Sequence, residues 1–176
     1  MKKVLIVVDM QKDFVDGALG SAEAVAIVDN VAKKIREHDG DIIVTYDTHF
    51  DNYMDTQEGK YLPVPHCIRG TDGWALNDRV QAALTGKEYK TIEKLTFGSQ
   101  ELPRYIQETY DPKEITIELI GLCTDICVVS NALLMKAYFL ETPVSVDASC
   151  CAGVTVDSHN AALLTMKMCQ VQIVEG

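Results

Sequence analysis

The chain has 176 residues, 47 % apolar and 24 % charged, a balance that fits one globular domain with a substantial core. Its formal net charge of −10 and pI near 4.7, with no Lys/Arg cluster as a local exception, argue against nucleic acid or anionic membrane as partners. No apolar run approaches the roughly 18 residues of a membrane span, so the expected partner is a small neutral or weakly polar molecule.

The first strand is expected over 3–8. Met1-Lys2-Lys3 before Val4-Leu5-Ile6-Val7-Val8 imitates the start of a signal peptide, but Asp9 interrupts the run after five residues, and no small-residue cleavage site follows. A cytoplasmic location is therefore expected. Ala24, Ile27, Val28, Val31, Ala32 and Ile35 recur at helical spacing, with Ser21 as N-cap and Asp39-Gly40 as terminator. A second strand follows over 41–46.

Segment 48–73 breaks the pattern: it is polar and aromatic, is punctuated by Gly59, Pro63, Pro65, Gly70 and Gly73, and reads as structureless. Irregular stretches of that length inside a domain tend to be functional. Beyond it, helices are expected over 75–85, 99–110, 125–140 and 157–169, and strands over 88–93, 115–120, 143–147 and 170–174. The alternation predicts an α/β domain over residues 1–176, with a mainly parallel sheet and helices on both faces. Continuous apolar strands such as Val4–Val8 fit burial on both sides.

Six cysteines (Cys67, Cys123, Cys127, Cys150, Cys151 and Cys169) invite a disulfide reading, but that belongs to short secreted chains with poor cores. Most are expected to be reduced and buried. Cys150 and Cys151 are assigned to packing, with sensitivity to oxidation left open.

In open α/β sheets, ligands bind beyond the carboxyl ends of the strands. That rule selects Asp9, Asp47, Lys94 and the turn Gly121–Cys127. Cys127 falls in the first turn of the helix after the fourth strand, where free N–H groups and the helix dipole favour a thiolate and can receive an oxyanion. Core packing is the competing reading, and Cys123-x-x-x-Cys127 also admits a redox pair or half of a zinc site. Asp9, directly after five apolar residues, is either a general base or a structural cap; Lys94 alone says little. Asp47-Thr48-His49, Asp55, Glu58 and His66 offer mixed carboxylate and imidazole ligands suited to Zn²⁺, Fe²⁺ or Mn²⁺, or else a solvated loop. The other histidines, His38 and His159, fall in predicted helices.

Four blocks now resemble a known family. They are Val8-Asp9-Met10-Gln11-Lys12-Asp13-Phe14; Asp47-Thr48-His49 with Pro65-His66-Cys67-Ile68-Arg69-Gly70-Thr71-Asp72-Gly73; Glu93-Lys94; and Gly121-Leu122-Cys123-Thr124-Asp125-Ile126-Cys127-Val128. In this order they resemble the isochorismatase-like cysteine hydrolases, and within them the nicotinamidases. The resemblance implies a Rossmann-like three-layer α/β/α sandwich around a six-stranded parallel sheet. It implies Cys127 as nucleophile, Asp9 as general base and Lys94 beside the thiolate. It also implies a cis peptide before Cys123, with the backbone N–H groups of Cys123 and Cys127 as oxyanion hole. The activity implied is hydrolysis of nicotinamide through a thioester, by a homo-oligomer. A divalent metal, zinc first and iron or manganese next, would sit on Asp47, His49, His66 and Glu58, with Asp55 as the alternative fourth ligand. Phe14 would wall the substrate ring, with Phe97 and Leu62 as further contacts. The run Tyr61-Leu62-Pro63-Val64-Pro65-His66 carries one residue more than the family pattern. A metal-independent amidase of the same family, acting on another small amide or carbamoyl compound, is the alternative; a non-catalytic redox or binding protein is the remote one.

Overall fold

Strands and helices alternate along the chain in a computed structural model that describes residues 1–175; Gly176, the last residue of the expected domain, lies outside them. The strands are β1 (Lys2–Val8), β2 (Asp41–Asp47), β3 (Tyr89–Lys94), β4 (Ile115–Leu122), β5 (Val144–Ala152) and β6 (Gln172–Val174). Every neighbouring pair is parallel, in the order β3-β2-β1-β4-β5-β6.

One face of the sheet, including Leu5, Val7, Ile42, Val44, Ile120 and Leu122, packs against α1 (Lys12–Val15), α2 (Ala22–Glu37) and α4 (Asp78–Ala83). The other, including Val4, Ile6, Val8, Ile43, Ile92 and Leu119, packs against α5 (Glu101–Thr109), α6 (Val129–Tyr138) and α7 (Val156–Met168). The alternate residues of β1 thus enter different cores, which explains its unbroken apolar run; each such side chain contributes about 1.5–3 kcal/mol on burial. Ser21 caps α2 by accepting from the Ala24 N–H at 3.0 Å. The helix stops at Glu37, two residues before the expected terminator.

Three expectations need correction. Segment 48–73 is not structureless: it holds a 3₁₀ turn at Tyr53–Asp55 and a short helix, α3 (Gln57–Tyr61), capped by Thr56. Buried Tyr53 pins this segment by donating its hydroxyl to the Leu62 carbonyl at 2.9 Å. β5 runs five residues past the expected end because Cys151 and Ala152 pair with Gly121 and Leu122 of β4, itself two residues longer than expected. The helix expected at 125–140 begins as a wider π-type turn at Thr124–Val128 before α6. Among the described residues, no helix is long and apolar enough to cross a membrane.

The strand order reverses between β1 and β4, which opens a crevice at their carboxyl ends. Gly121 is required there: its φ is +117°, and a Cβ would lie 2.1 Å from the Val8 carbonyl oxygen. This close approach brings the residues after β1 next to those after β4.

Candidate active site

Four strands deliver their terminal residues into the crevice. Asp9 follows β1 with φ +48°, a left-handed conformation that Asp tolerates better than most residues. Its Oδ1 accepts from the Thr45 hydroxyl at 2.7 Å. Lys94, ending β3, places Nζ 2.7 Å from Asp9 Oδ2, 3.1 Å from Asp47 Oδ1 and 3.3 Å from Cys127 Sγ. Lysine, both carboxylates and thiol are all buried. Beyond this ion pair with Lys94, Asp9 Oδ2 has no hydrogen-bond partner among the described residues, which leaves it able to take a proton.

The electrostatics modify the sequence expectation of a helix-start thiolate. Burial pushes the Cys127 thiol well up and the Asp9 charge pushes it further, while Lys94 opposes both. Removal of its proton therefore calls for a base beside it. Burial also raises Asp9, against the pull of Lys94, and so makes it a stronger base than a surface carboxylate. Burial opposes the charge on Lys94, but Asp9, Cys127 and Asp47 together hold its pKa well above the ordinary value.

Asp47 links this cluster to a second one. Its Oδ2 lies 3.0 Å from His49 Nε2 and 3.7 Å from His66 Nε2, and Glu58 Oε1 lies 3.7 and 3.8 Å from the same two nitrogens. A tetrahedral ion with ligand bonds of about 2.1 Å has edges of roughly 3.4 Å, close to these separations. His66 Nδ1 donates to the Val64 carbonyl at 2.8 Å, which leaves Nε2 facing the cluster, the arrangement in which a backbone carbonyl orients a histidine for ligation. Burial is outweighed by His49, His66 and Lys94 in holding Asp47 well below the usual carboxylate range. The residues thus fit a divalent metal. Asp55, exposed on its 3₁₀ turn, makes no ion pair with the cluster; α3 brings Glu58 there instead.

Both clusters open into one cavity of about 510 Å³, lined by Phe14, Leu62, Phe97, Ile126 and other largely apolar residues, with Asp47, Glu58, His66, Cys123 and Cys127 on its polar side. Phe14, Phe97 and Leu62 are thus all on the wall, the last two half-exposed at the rim. The Leu122–Cys123 peptide is cis. Cys150 and Cys151 are buried and, like the other four cysteines, free.

Sequence reasoning missed the residues that hold these groups in place. Gln11, fully buried, accepts from the Asp47 N–H at 2.7 Å and donates to its carbonyl at 2.9 Å. Asp13 accepts from the Cys67 N–H at 2.8 Å, anchoring the loop next to His66. Asn131 donates to the Cys127 carbonyl at 2.8 Å and accepts from the Ser99 N–H at 2.9 Å, tying the nucleophile turn to the Phe97 loop. For Asn131 the available signal was an amide at i+4 from the nucleophile on a mainly apolar helix.

Residues 3–175 match the model of the isochorismatase domain. The nicotinamidase/pyrazinamidase of Mycobacterium tuberculosis is 28 % identical, the match covering 98 % of each chain. A crystal structure of nicotinamidase/pyrazinamidase from Bacillus subtilis superposes with a TM-score of 0.86 at 26 % identity, over 99 % of this chain and 100 % of that one. The pyrazinamidase of Pyrococcus horikoshii, solved in complex with zinc, has a TM-score of 0.83 at 25 % identity over 100 % of both chains.

Proposed function

This chain belongs to the isochorismatase family of hydrolases, and from that premise we propose that it hydrolyses nicotinamide to nicotinate and ammonia through a thioester on Cys127. The observation that carries the reading is Asp47: one oxygen contacts Lys94 of the nucleophile cluster, the other His49 of the metal-capable cluster. A nucleophile and a metal site on one apolar cavity suit an aromatic amide with a ring donor atom. They suit a metal-independent amidase less well.

The cavity also speaks to substrate charge. Among the described residues lining it there is no Lys or Arg, while Asp47 and Glu58 are both present. A neutral carboxamide is accommodated, and a substrate bearing its own carboxylate is disfavoured. The same acidity favours departure of an anionic product.

In the proposed reaction the Cys127 thiol gives its proton to Asp9 as sulfur bonds to the carboxamide carbon. Lys94, held between two carboxylates, stabilises the sulfur as it loses the proton. The backbone N–H groups of Cys123 and Cys127 are assigned to the oxyanion. Asp9 then hands its proton to the departing nitrogen, the C–N bond breaks, and ammonia leaves. Water, deprotonated by Asp9, attacks the thioester; the C–S bond breaks and sulfur recovers the proton. A divalent cation on Asp47, His49, Glu58 and His66, zinc by likeness to the Pyrococcus relative, would supply a Lewis-acidic anchor for the ring nitrogen.

Ammonia release from nicotinamide, measured before and after chelation and again after adding back Zn²⁺, Fe²⁺ or Mn²⁺, tests the reading. Turnover lost on chelation and restored by metal is expected. Absence of turnover with every metal would overturn the substrate assignment.

A further inference from the structure

The turn that carries the nucleophile is held from outside by groups that the proposed reaction does not use. Thr124, first residue of the Thr124–Val128 turn, is fully buried. As the first residue of its turn, Thr124 has no helical carbonyl four residues back, the acceptor that Ser130 finds at Ile126 at 2.6 Å. Thr124 instead places Oγ1 2.8 Å from Nδ1 of His159, 35 residues away on α7. The next residue, Asp125, accepts from the Val154 N–H at 3.1 and 3.2 Å, fastening the same turn to the end of β5.

The surroundings of His159 are built for this contact. It sits in the first turns of α7, whose start is fixed by a reciprocal cap between Thr155 and Ser158. Gly153 lets helix and strand close up: a Cβ there would lie 2.9 Å from His159 Cβ. Neither His159 nor Thr124 lines the substrate cavity; His159 borders a separate cleft of about 230 Å³ behind it. Burial lowers the His159 pKa, against the pull of Asp125.

We propose that His159 is a positioning residue: through Thr124 it fixes the turn that presents the Cys127 thiol and the Cys123 and Cys127 N–H groups, without touching substrate. A thiol 3.3 Å from its lysine tolerates little rotation of its turn, and misplacement by about 1 Å can cost roughly 100-fold in rate. The proposal rests on the hydrolase reading above for its kinetic arm only.

The test compares wild type, Thr124→Val, His159→Leu, His159→Asn and the Thr124→Val/His159→Leu double variant. Two readouts are used: kcat and KM for ammonia release from nicotinamide, and the rate of Cys127 alkylation by iodoacetamide, located by mass spectrometry. Thr124→Val and His159→Leu should each lower kcat by about 10- to 100-fold, with KM within about twofold. The double variant should be no worse than either single one. His159→Asn, which keeps a polar atom near the Nδ1 position, should recover kcat to within about threefold, and alkylation rates should follow the same order. Unchanged kcat alongside a lowered melting temperature would reduce His159 to a packing role, and multiplicative losses in the double variant would remove Thr124 as the link; either overturns the proposal. If wild type released no ammonia, the substrate reading would fail separately. Alkylation would then decide: the same non-additive pattern supports positioning, and equal rates in all five proteins contradict it.

Discussion

Among the described residues Lys12, Lys34 and Lys94 each bridge two carboxylates, and of the two inner clusters, those of Lys34 and Lys94, only the second has a partner that can react. Lys94 lies between Asp9 and Asp47 at the carboxyl ends of the strands, with side-chain exposures of 1, 0 and 6 %. Lys34 of α2 lies between Asp147 at 2.7 Å and Glu118 at 3.0 Å, with 29, 2 and 24 %. In the Lys34 cluster Asp147 is fully engaged: Oδ2 meets the lysine, while Oδ1 accepts from the Ser149 N–H and hydroxyl. In the Lys94 cluster Asp9 has one partner fewer, the Thr45 hydroxyl on Oδ1 and the lysine on Oδ2, and a thiol stands 3.3 Å from the ammonium. The same charge pattern thus does different work. Saturated and partly wetted, it holds a helix to a sheet; dry and one bond short, it moves a proton.

The contrast is tested most severely at the nucleophile. Cys127→Ala should lower nicotinamide turnover by more than roughly 10⁴-fold while leaving the fold intact by circular dichroism. Asp9→Asn should cost about 10²- to 10⁴-fold in kcat, because an amide cannot take the thiol proton. Asp147→Asn, the equivalent change in the other cluster, should leave kcat unchanged and destabilise by about 1–3 kcal/mol in denaturant unfolding. Its pH dependence has a definite sign. Despite burial, Lys34 and Ser149 hold the Asp147 carboxyl below its ordinary 3.8. Its contribution is therefore complete above about pH 4 and lost as pH falls through the lower folded value. The wild-type advantage over Asp147→Asn should shrink only in that acid window; an advantage lost near neutrality would contradict the assignment. The smallest effect is expected at the rim, where Phe97→Ala should raise KM by about 2- to 10-fold with kcat unchanged.

How much of this could be read from the sequence follows the same division. Asp9, Asp47, Lys94 and Cys127 were legible because each stands at the end of a β-rich run, and parallel sheets collect such ends on one side. Their mutual contacts were not legible, since Asp47 and Lys94 lie 47 positions apart and nothing local encodes the pairing. The upward push on the thiol pKa was not legible because helix-start chemistry is local, whereas burial and the Asp9 charge are tertiary. The candidate ligands of the 48–73 loop were legible but its shape was not: α3 is five residues long, too short for periodicity to register, yet it is what brings Glu58 rather than Asp55 near His49 and His66. The extension of β5 through Ser149-Cys150-Cys151 lacks β-branched residues and is imposed by pairing with β4.

The central claim is that Cys127 carries the acyl group, and hydroxylamine partitioning tests it most directly. With nicotinamide and rising hydroxylamine, the wild type should divert product from nicotinate to the hydroxamate, and Cys127→Ala should form neither. Nicotinate and ammonia released at an undiminished rate by Cys127→Ala would contradict it.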